Sequence, residues 1–410
     1  MDPRKILRLI ERLQPNSFRT SEDILSHLVR EIVKNENFRV KGGRLWKLNP
    51  NRKRYTLVAQ VGDIDHIRDR YEIRLASYPL FKELAKRRSV LATETDSYLR
   101  RKGIRVYSAT GIGERVRIEE GEFYEYMMAF NTDLAGRDFL DELNLIGNAV
   151  TSVLKNKRAE QKTQVLQKDL DQAWEIQRRI LPEHEYRFGN YEMYGISLPE
   201  RIVGGDFFDY LEAEENPDRV GVCIGDATSK GLPAAVQALY VSGALRLGVG
   251  YQQKMATLFR RINNLVYRTF PDERFVTLFY VEVFDSTNGL CIYSNAGHNA
   301  PIHLRANSRE TTLLENSGPV LGLAPDQRYR TENINLQTGD CLLLYTDGIT
   351  EATSSTNELY GEERLRQRLL EYHERPAKEI TQLILEDVQK FSISAPYADD
   401  KTLVVIRRVK

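Results

Sequence analysis

An α+β chain of two domains joined by a long helix is the architecture this sequence predicts, and three observations predict it. The chain has 410 residues, enough for two hydrophobic cores at the usual ~100–200 residues per domain. From about Leu140 to Leu181 it carries no proline and a single glycine, Gly147, and Pro182 then stops it; such a stretch reads as one long helix. Beyond that helix, β-rich runs and helical patterns follow in an order that implies two antiparallel sheets flanked by helices, an α+β sandwich.

Taken in order, residues 1–20 open with MDPRKILRLIERL, an amphipathic and charged helix without the apolar core of a signal peptide, and no stretch approaches a membrane span. Ser21 to Lys34 is helical, with Ser21 the expected N-cap and Asp23 favourable in the first turn. The run GGRLWKLNPNRKRYTLVAQVG then gives a hairpin split at Asn49, Pro50 and Asn51. Its basic residues Arg39, Lys41, Arg44, Lys47, Arg52, Lys53 and Arg54 are expected on a solvated face, because alternate positions are apolar. Strands follow at YEIRLA, GIRVYSA and GEFYEYMMAFN, with a helix at LFKELAKRRS. This succession over residues 21–154 resembles a GAF domain, a sensor module of α/β type. The resemblance is one of pattern, carries no cyclic-nucleotide signature and leaves the ligand unassigned.

Within the long helix, Leu143, Ile146, Val150 and Val153 step by three, four and three, the spacing of a coiled-coil seam. The seam lapses over Lys155 to Gln164 and resumes at Leu166, Leu170, Ala173 and Ile180, with Gln177 on the same stripe. A parallel homodimer through the GAF-like domain and a coiled-coil linker helix at 155–184 is one reading. The other is that the first half packs on the N-terminal domain and the polar middle is a solvated linker.

Residues 185–410 form the second domain. Gly231 to Val249 reads as a helix opened by Gly231 and Pro233, ATLFRRINNLVYRTF as the next, and RFVTLFYVEVFDSTNGLCIYSNAG as a hairpin turned at Asn288-Gly289. Global charge says little about partners: 59 basic and 58 acidic residues leave +1, which calls for neither nucleic acid nor an anionic membrane. Cys223, Cys291 and Cys341 each sit inside an apolar run, the usage of buried thiols in a reducing compartment. A cytoplasmic location is expected.

Four aspartates stand where apolar runs start or stop: Asp206 in IVGGDFFDY, Asp226 in VGVCIGDATSKG, Asp347 in LLLYTDGITEA and Asp399 in YADDKTLVVI. Asp beside Gly also serves tight turns, but four such strand ends can converge on one point as a carboxylate-built metal site. Hard oxygen donors of this kind suit Mg²⁺ or Mn²⁺. Two such ions about 3.5–4 Å apart lower the pKa of a bridging water and clamp the oxygens of an in-line displacement.

The ordered set GGDFFD, GDATSKG, SNAGHNAP, YTDGITEA and DDKTLVVI, from about Ala173 to the C-terminus, resembles the PPM-type protein serine/threonine phosphatases of the bacterial SpoIIE/RsbU-like branch. That resemblance implies a phosphatase α-β-β-α sandwich holding two divalent cations. It places Asp206, Asp226 and the carbonyl of Ala227 in the shared centre, with Asp347 and either Asp399 or Asp400 completing it; the spacing favours Asp399. Arg201 matches the position that reaches the substrate phosphate in eukaryotic relatives, or is a surface arginine beside a loop. Thr228 stands where those relatives have a general-acid histidine, and His298 is either a proton donor or a structural residue. Asp209 is expected to be structural, and Gly204 and Gly205 to let the backbone approach the metals. The implied substrate is a phosphoserine or phosphothreonine on a STAS-type anti-sigma-factor antagonist, with regulatory input through AWEIQRRILP. The alternatives are a catalytically silent phosphatase-like regulator and, from GGDFF alone, a GGDEF-type nucleotide cyclase.

Overall fold

The computed structural model describes the chain except residues 1–17, 94, 103, 133–136, 201, 213–215, 252, 271–273 and 394–398, together with the side chains of residues 37, 132, 137 and 138. Most of the expected N-terminal helix, and Arg201, lie outside the described residues. The chain divides into two compact units, Met1–Val165 and Leu166–Lys410.

The N-terminal unit is built on one antiparallel sheet. Its first helix, α1 (Ser21–Lys34), is capped one residue earlier than the sequence suggests. Thr20 is extended and accepts from the Asp23 N–H at 3.1 Å, while Asp23 accepts from the Thr20 N–H at 2.9 Å. Ser21 already has helical geometry, so it cannot serve as the half-in residue that a cap requires. Strands β1 (Val40–Asn49) and β2 (Arg54–Gly62) form the expected hairpin, followed by β3 (Glu72–Arg74), α2 (Leu80–Arg87), β4 (Ser89–Ala92), α3 (Ser97–Arg101), β5 (Tyr107–Ile118) and β6 (Gly121–Thr132). The short β4 and α3 were not legible, being too brief to show a period. The sheet order is β3-β2-β1-β6-β5-β4.

Alternation along β6 separates two cores: Tyr126, Met128 and Phe130 face α1, while Met127 and Ala129 face α2 and α3. The long helix α4 (Arg137–Ile180) packs its first turns on the α1 side, burying Leu143, Ile146, Val150 and Leu154. That corrects the seam reading for this half. These side chains are consumed by the unit's own core and have nothing left to offer a partner helix, while Val165 and Leu166 further on are about 60% exposed (61% and 60%). The basic hairpin face also needs correction at one position: Arg44 is 2% exposed, whereas Lys47, Arg52 and Lys53 are solvated.

The C-terminal unit has two antiparallel sheets. One is ordered β15-β12-β11-β10-β9, from β9 (Phe207–Glu212), β10 (Arg219–Ala227), β11 (Val276–Phe284), β12 (Leu290–Ala296) and β15 (Glu332–Asn335). The other is β14-β13-β16-β17-β8-β7, from β7 (Glu185–Phe188), β8 (Tyr191–Leu198), β13 (Ile302–Arg305), β14 (Glu310–Leu313), β16 (Cys341–Tyr345) and β17 (Lys401–Arg408). Between them Val220, Val222, Ile224, Phe279, Val281, Leu342, Leu344, Val404 and Ile406 interdigitate. Outside the first sheet lie α5 (Leu232–Gly250) and α6 (Met255–Thr269); outside the second lie α8 (Glu362–Tyr372) and α9 (Ala377–Phe391). The short α7 (Asp347–Thr350) follows β16 directly. The result is the four-layer sandwich expected from the sequence.

Contrary to the sequence reading, one helix among the described residues, α5, is long and apolar enough by length and composition to cross a membrane, and half of it is buried in this unit. Its apolarity is explained by packing: Ala234, Ala238, Val241 and Leu245 fill the core outside the first sheet.

Candidate metal centre

Strand direction brings the aspartates together. Asp206 immediately precedes β9 and Asp226 lies near the end of its antiparallel neighbour β10, so both stand at one end of the first sheet. In the second sheet, Asp347 follows β16 and Asp399 and Asp400 precede its antiparallel neighbour β17. Two hydrogen bonds show that these ends coincide. Thr346 Oγ1 donates to Asp206 Oδ2 at 2.7 Å, and the Gly205 N–H donates to Asp400 Oδ2 at 2.7 Å.

The sequence spacing favoured Asp399 over Asp400 as the ligand, and the two carboxylates stand in different surroundings. Asp400 Oδ1 accepts from the Glu200 N–H at 2.6 Å, and its Oδ2 accepts from Gly205 and from Asp206 at 3.3 Å. Both of its oxygens are thereby engaged in holding the 200–206 loop. Asp399 has a side chain 42% exposed, and its Oδ2 lies 3.3 Å from Lys230 Nζ. Lys230 also lies 3.6 Å from Glu200 Oε2, which puts a cation beside the carboxylates that the motif reading passed over. Close approach explains the glycines. A Cβ on Gly204 would come 2.3 Å from Asp400 Oδ2, one on Gly205 2.9 Å from the Ala227 carbonyl oxygen, and one on Gly348 1.8 Å from the Asp400 carbonyl oxygen.

Electrostatics follow from burial and like charge. Burial first, then Asp226 and Asp400, push the Asp206 carboxyl well above its ordinary range. Burial, then Asp347, Asp399 and Asp400, raise Asp226 in the same sense. Burial and Asp399 raise Asp347. Among the described residues no three His, Cys, Asp or Glu side chains converge tightly enough to enclose an ion as they stand. The donor set nonetheless fits a hard divalent cation: it is all oxygen, and its members disfavour one another's ionisation until positive charge is supplied.

Other expected residues fall outside the centre. Asp209 is buried and pairs with Arg246 of α5, whose Nη2 donates to the Ile180 carbonyl at the end of α4. Thr228 is tied to Phe275, donating to its carbonyl and accepting from its N–H. His298 is 2% exposed, with Nδ1 2.8 Å from Thr277 Oγ1. Burial pushes its pKa down to about 4, against the backbone of Tyr345, so the ring is neutral at pH 7. Gln177 was read as a seam position and instead grips the main chain at Gly204, two residues before Asp206: its Nε2 donates to the Gly204 carbonyl at 2.7 Å and its Oε1 accepts from the Gly204 N–H at 3.3 Å. Together with Trp174, Arg178 and Leu181 it lines a groove that reaches Gly204 and Asp206.

A double-sheet sandwich with helices outside and clustered aspartates at one end of its central strands defines a PPM-class fold. The SiaA-PP2C domain of Pseudomonas aeruginosa superposes with a TM-score of 0.51 at 20% identity, covering 60% of this chain and 98% of that one. Residues 216–409 match the family model for Stage II sporulation protein E (SpoIIE), a span that takes in Asp226, Asp347, Asp399 and Asp400 and begins after Asp206. Over residues 216–409 the C-terminal unit is thus similar to the SpoIIE family of PPM-type bacterial serine/threonine phosphatases. The chain is 27% identical over 300 residues to Protein IcfG of Synechocystis sp., covering 65% of this chain but only 46% of that relative. It is 25% identical over 250 residues to Phosphoserine phosphatase RsbU of Bacillus subtilis, covering 60% and 71%.

Proposed function

We propose that this chain is a divalent-cation-dependent protein phosphatase acting on phosphoserine or phosphothreonine. The observation that carries the reading is the meeting of both sheets' aspartates at one end of the sandwich, locked by the Thr346–Asp206 hydrogen bond. Asp206, Asp226, Asp347 and Asp399, with the Ala227 carbonyl, would hold two Mn²⁺ or Mg²⁺ ions. When bound, such ions supply Lewis acidity to water and to the phosphoryl oxygens. The chain's own residues do the positioning. Thr346 orients Asp206, Asp400 holds the loop that presents it, and Lys230 sets positive charge where a phosphate dianion would arrive. Arg201 remains a proposed phosphate contact.

The substrate we infer is a phosphorylated STAS-type anti-sigma-factor antagonist, supported by the likeness to RsbU. Regulation would run from the N-terminal unit, as a GAF-like sensor, along α4, whose end holds Gly204 through Gln177 and meets Arg246 at Ile180. Dimerisation through the exposed stripe around Leu166 belongs to the same proposal, as does a cytoplasmic location, which suits three buried free thiols. In GGDFF here, Gly204, Gly205 and Asp206 lead straight into β9, whose first residues are Phe207 and Phe208, and this leaves the cyclase reading without support.

The test is hydrolysis of p-nitrophenyl phosphate with Mn²⁺, Mg²⁺ or EDTA, beside Asp206→Asn and Asp347→Asn. Cation-dependent turnover falling on the order of 10²-fold or more in both variants is expected. Retained turnover in either contradicts the assignment, and cation binding without turnover would favour the silent regulator.

A further inference from the structure

Arg44 is a buried charged residue of the N-terminal unit. It sits on β1 two positions before Trp46, on the face that packs against α2 and α3. At 2% exposure its guanidinium is out of water. Nη1 donates to Asn131 Oδ1 at 2.7 Å and Nη2 to the Asp65 main-chain carbonyl at 3.0 Å. Both acceptors are neutral, and Nε is buried with no hydrogen-bond partner. Among the described residues no carboxylate forms an ion pair with it; Asp65 acts only through its field. Burial pushes the Arg44 pKa down to about 10, so the group remains charged at pH 7. An arginine in this state is expected to be paired, because an uncompensated buried charge is strongly destabilising.

The guanidinium lines a cavity. The other walls are mostly apolar, with Trp46, Ile73, Phe81, Leu99 and Met127 among them beside the polar Thr95 and Asn131, and the space is ≈ 400 Å³ counting its mouth. The chamber is narrow, so the occupant must be small. Arg44 lines this narrow, largely apolar chamber and its guanidinium has N–H groups beyond the two bonds it makes, a combination that selects two features: a carboxylate for the guanidinium and a short hydrocarbon body for the walls. We propose that the N-terminal unit binds a small aliphatic monocarboxylate, its carboxylate on Arg44 and its apolar end against Trp46, Phe81 and Met127. The assignment is independent of whether the C-terminal unit hydrolyses phosphate.

The experiment is calorimetric titration of the full chain with sodium butyrate, sodium acetate and butyramide. Butyrate should bind saturably with a Kd in the millimolar range, the scale open to so few atoms. Acetate should bind on the order of tenfold more weakly, for two fewer buried methylenes, and neutral butyramide not at all. Arg44→Met, with folding checked by circular dichroism, should lose the butyrate heat and melt no lower than the parent chain, since it removes an unpaired buried charge. Ala129→Leu, which fills the cavity and leaves the charge, should weaken butyrate at least tenfold. Butyramide binding as tightly as butyrate overturns the proposal, as does undiminished butyrate binding in Arg44→Met or no saturable butyrate binding by the parent chain. The butyramide comparison decides the matter even if a variant fails to fold.

Discussion

Asp399 and Asp400 are adjacent carboxylates in different surroundings, and replacing each by asparagine tests whether they carry different tasks. Asp400 accepts three main-chain N–H groups, from Glu200, Gly205 and Asp206. An asparagine keeps one carbonyl oxygen and turns an NH₂ toward the donors on its other side, so at least one buried N–H loses its acceptor, at about 1–3 kcal/mol. Burial and the neighbouring Asp399 already raise the Asp400 carboxyl, and removing that charge offsets part of the loss. A net destabilisation of about 1–2 kcal/mol is expected, or roughly 2–8 °C for a unit of this size. Asp399 has a solvated side chain touching Lys230 and the Asp400 N–H, and Asp399→Asn should stay within about 0.5 kcal/mol of the parent. Differential scanning calorimetry in EDTA reads stability, and Mn²⁺ titration reads affinity. Asp399→Asn should lose Mn²⁺ affinity at unchanged melting temperature. Asp400→Asn should melt lower and lose less affinity. The reverse pattern would refute the division of labour.

Gln177→Ala removes both side-chain bonds to Gly204 and should lower kcat on p-nitrophenyl phosphate while leaving the circular dichroism spectrum unchanged; equal turnover would detach the helix end from the loop. Gly348→Ala should abolish Mn²⁺ binding or soluble expression, because its Cβ would lie 1.8 Å from the Asp400 carbonyl oxygen; a variant that binds Mn²⁺ normally contradicts the packing. Asp340 is a pH probe away from the centre. Burial alone would raise its carboxyl, but His303 and the N–H groups of Gln337 and Ala306 win and hold it below the ordinary value. A depressed carboxyl contributes stability above the unfolded pKa of about 3.9, lost as pH falls through the folded value. Asp340→Asn should therefore melt lower than the parent at pH 7 and approach it below about pH 4; a constant gap across that range would exclude the linkage.

Much of the architecture around the clustered aspartates was legible because its signals are local. Apolar runs ending in Asp-Gly or Gly-Gly-Asp announce strand ends, and glycines announce close approach, as Gly204 and Gly205 do. What failed depends on contacts distant in sequence. Leu143, Ile146 and Val150 have a spacing that suits a dimer seam or the chain's own core equally, and only the sheet behind them decides. Arg44 looked solvated because alternation predicts which residues share a face and says nothing of whether α2 and α3 cover it. Gln177 follows helical spacing, yet its partners are two backbone atoms of Gly204. Thr346, next to Asp347, carries no distinguishing pattern although it joins the two sheets' aspartates.

The most direct test of the account is Mn²⁺ titration of the full chain by isothermal calorimetry, beside Asp206→Asn and Asp226→Asn. The account predicts saturable binding by the parent chain, with release of protons as the raised carboxyls ionise, and loss of that binding in both variants. Parent-like Mn²⁺ affinity in both variants, or no Mn²⁺ binding by the parent chain, would contradict it.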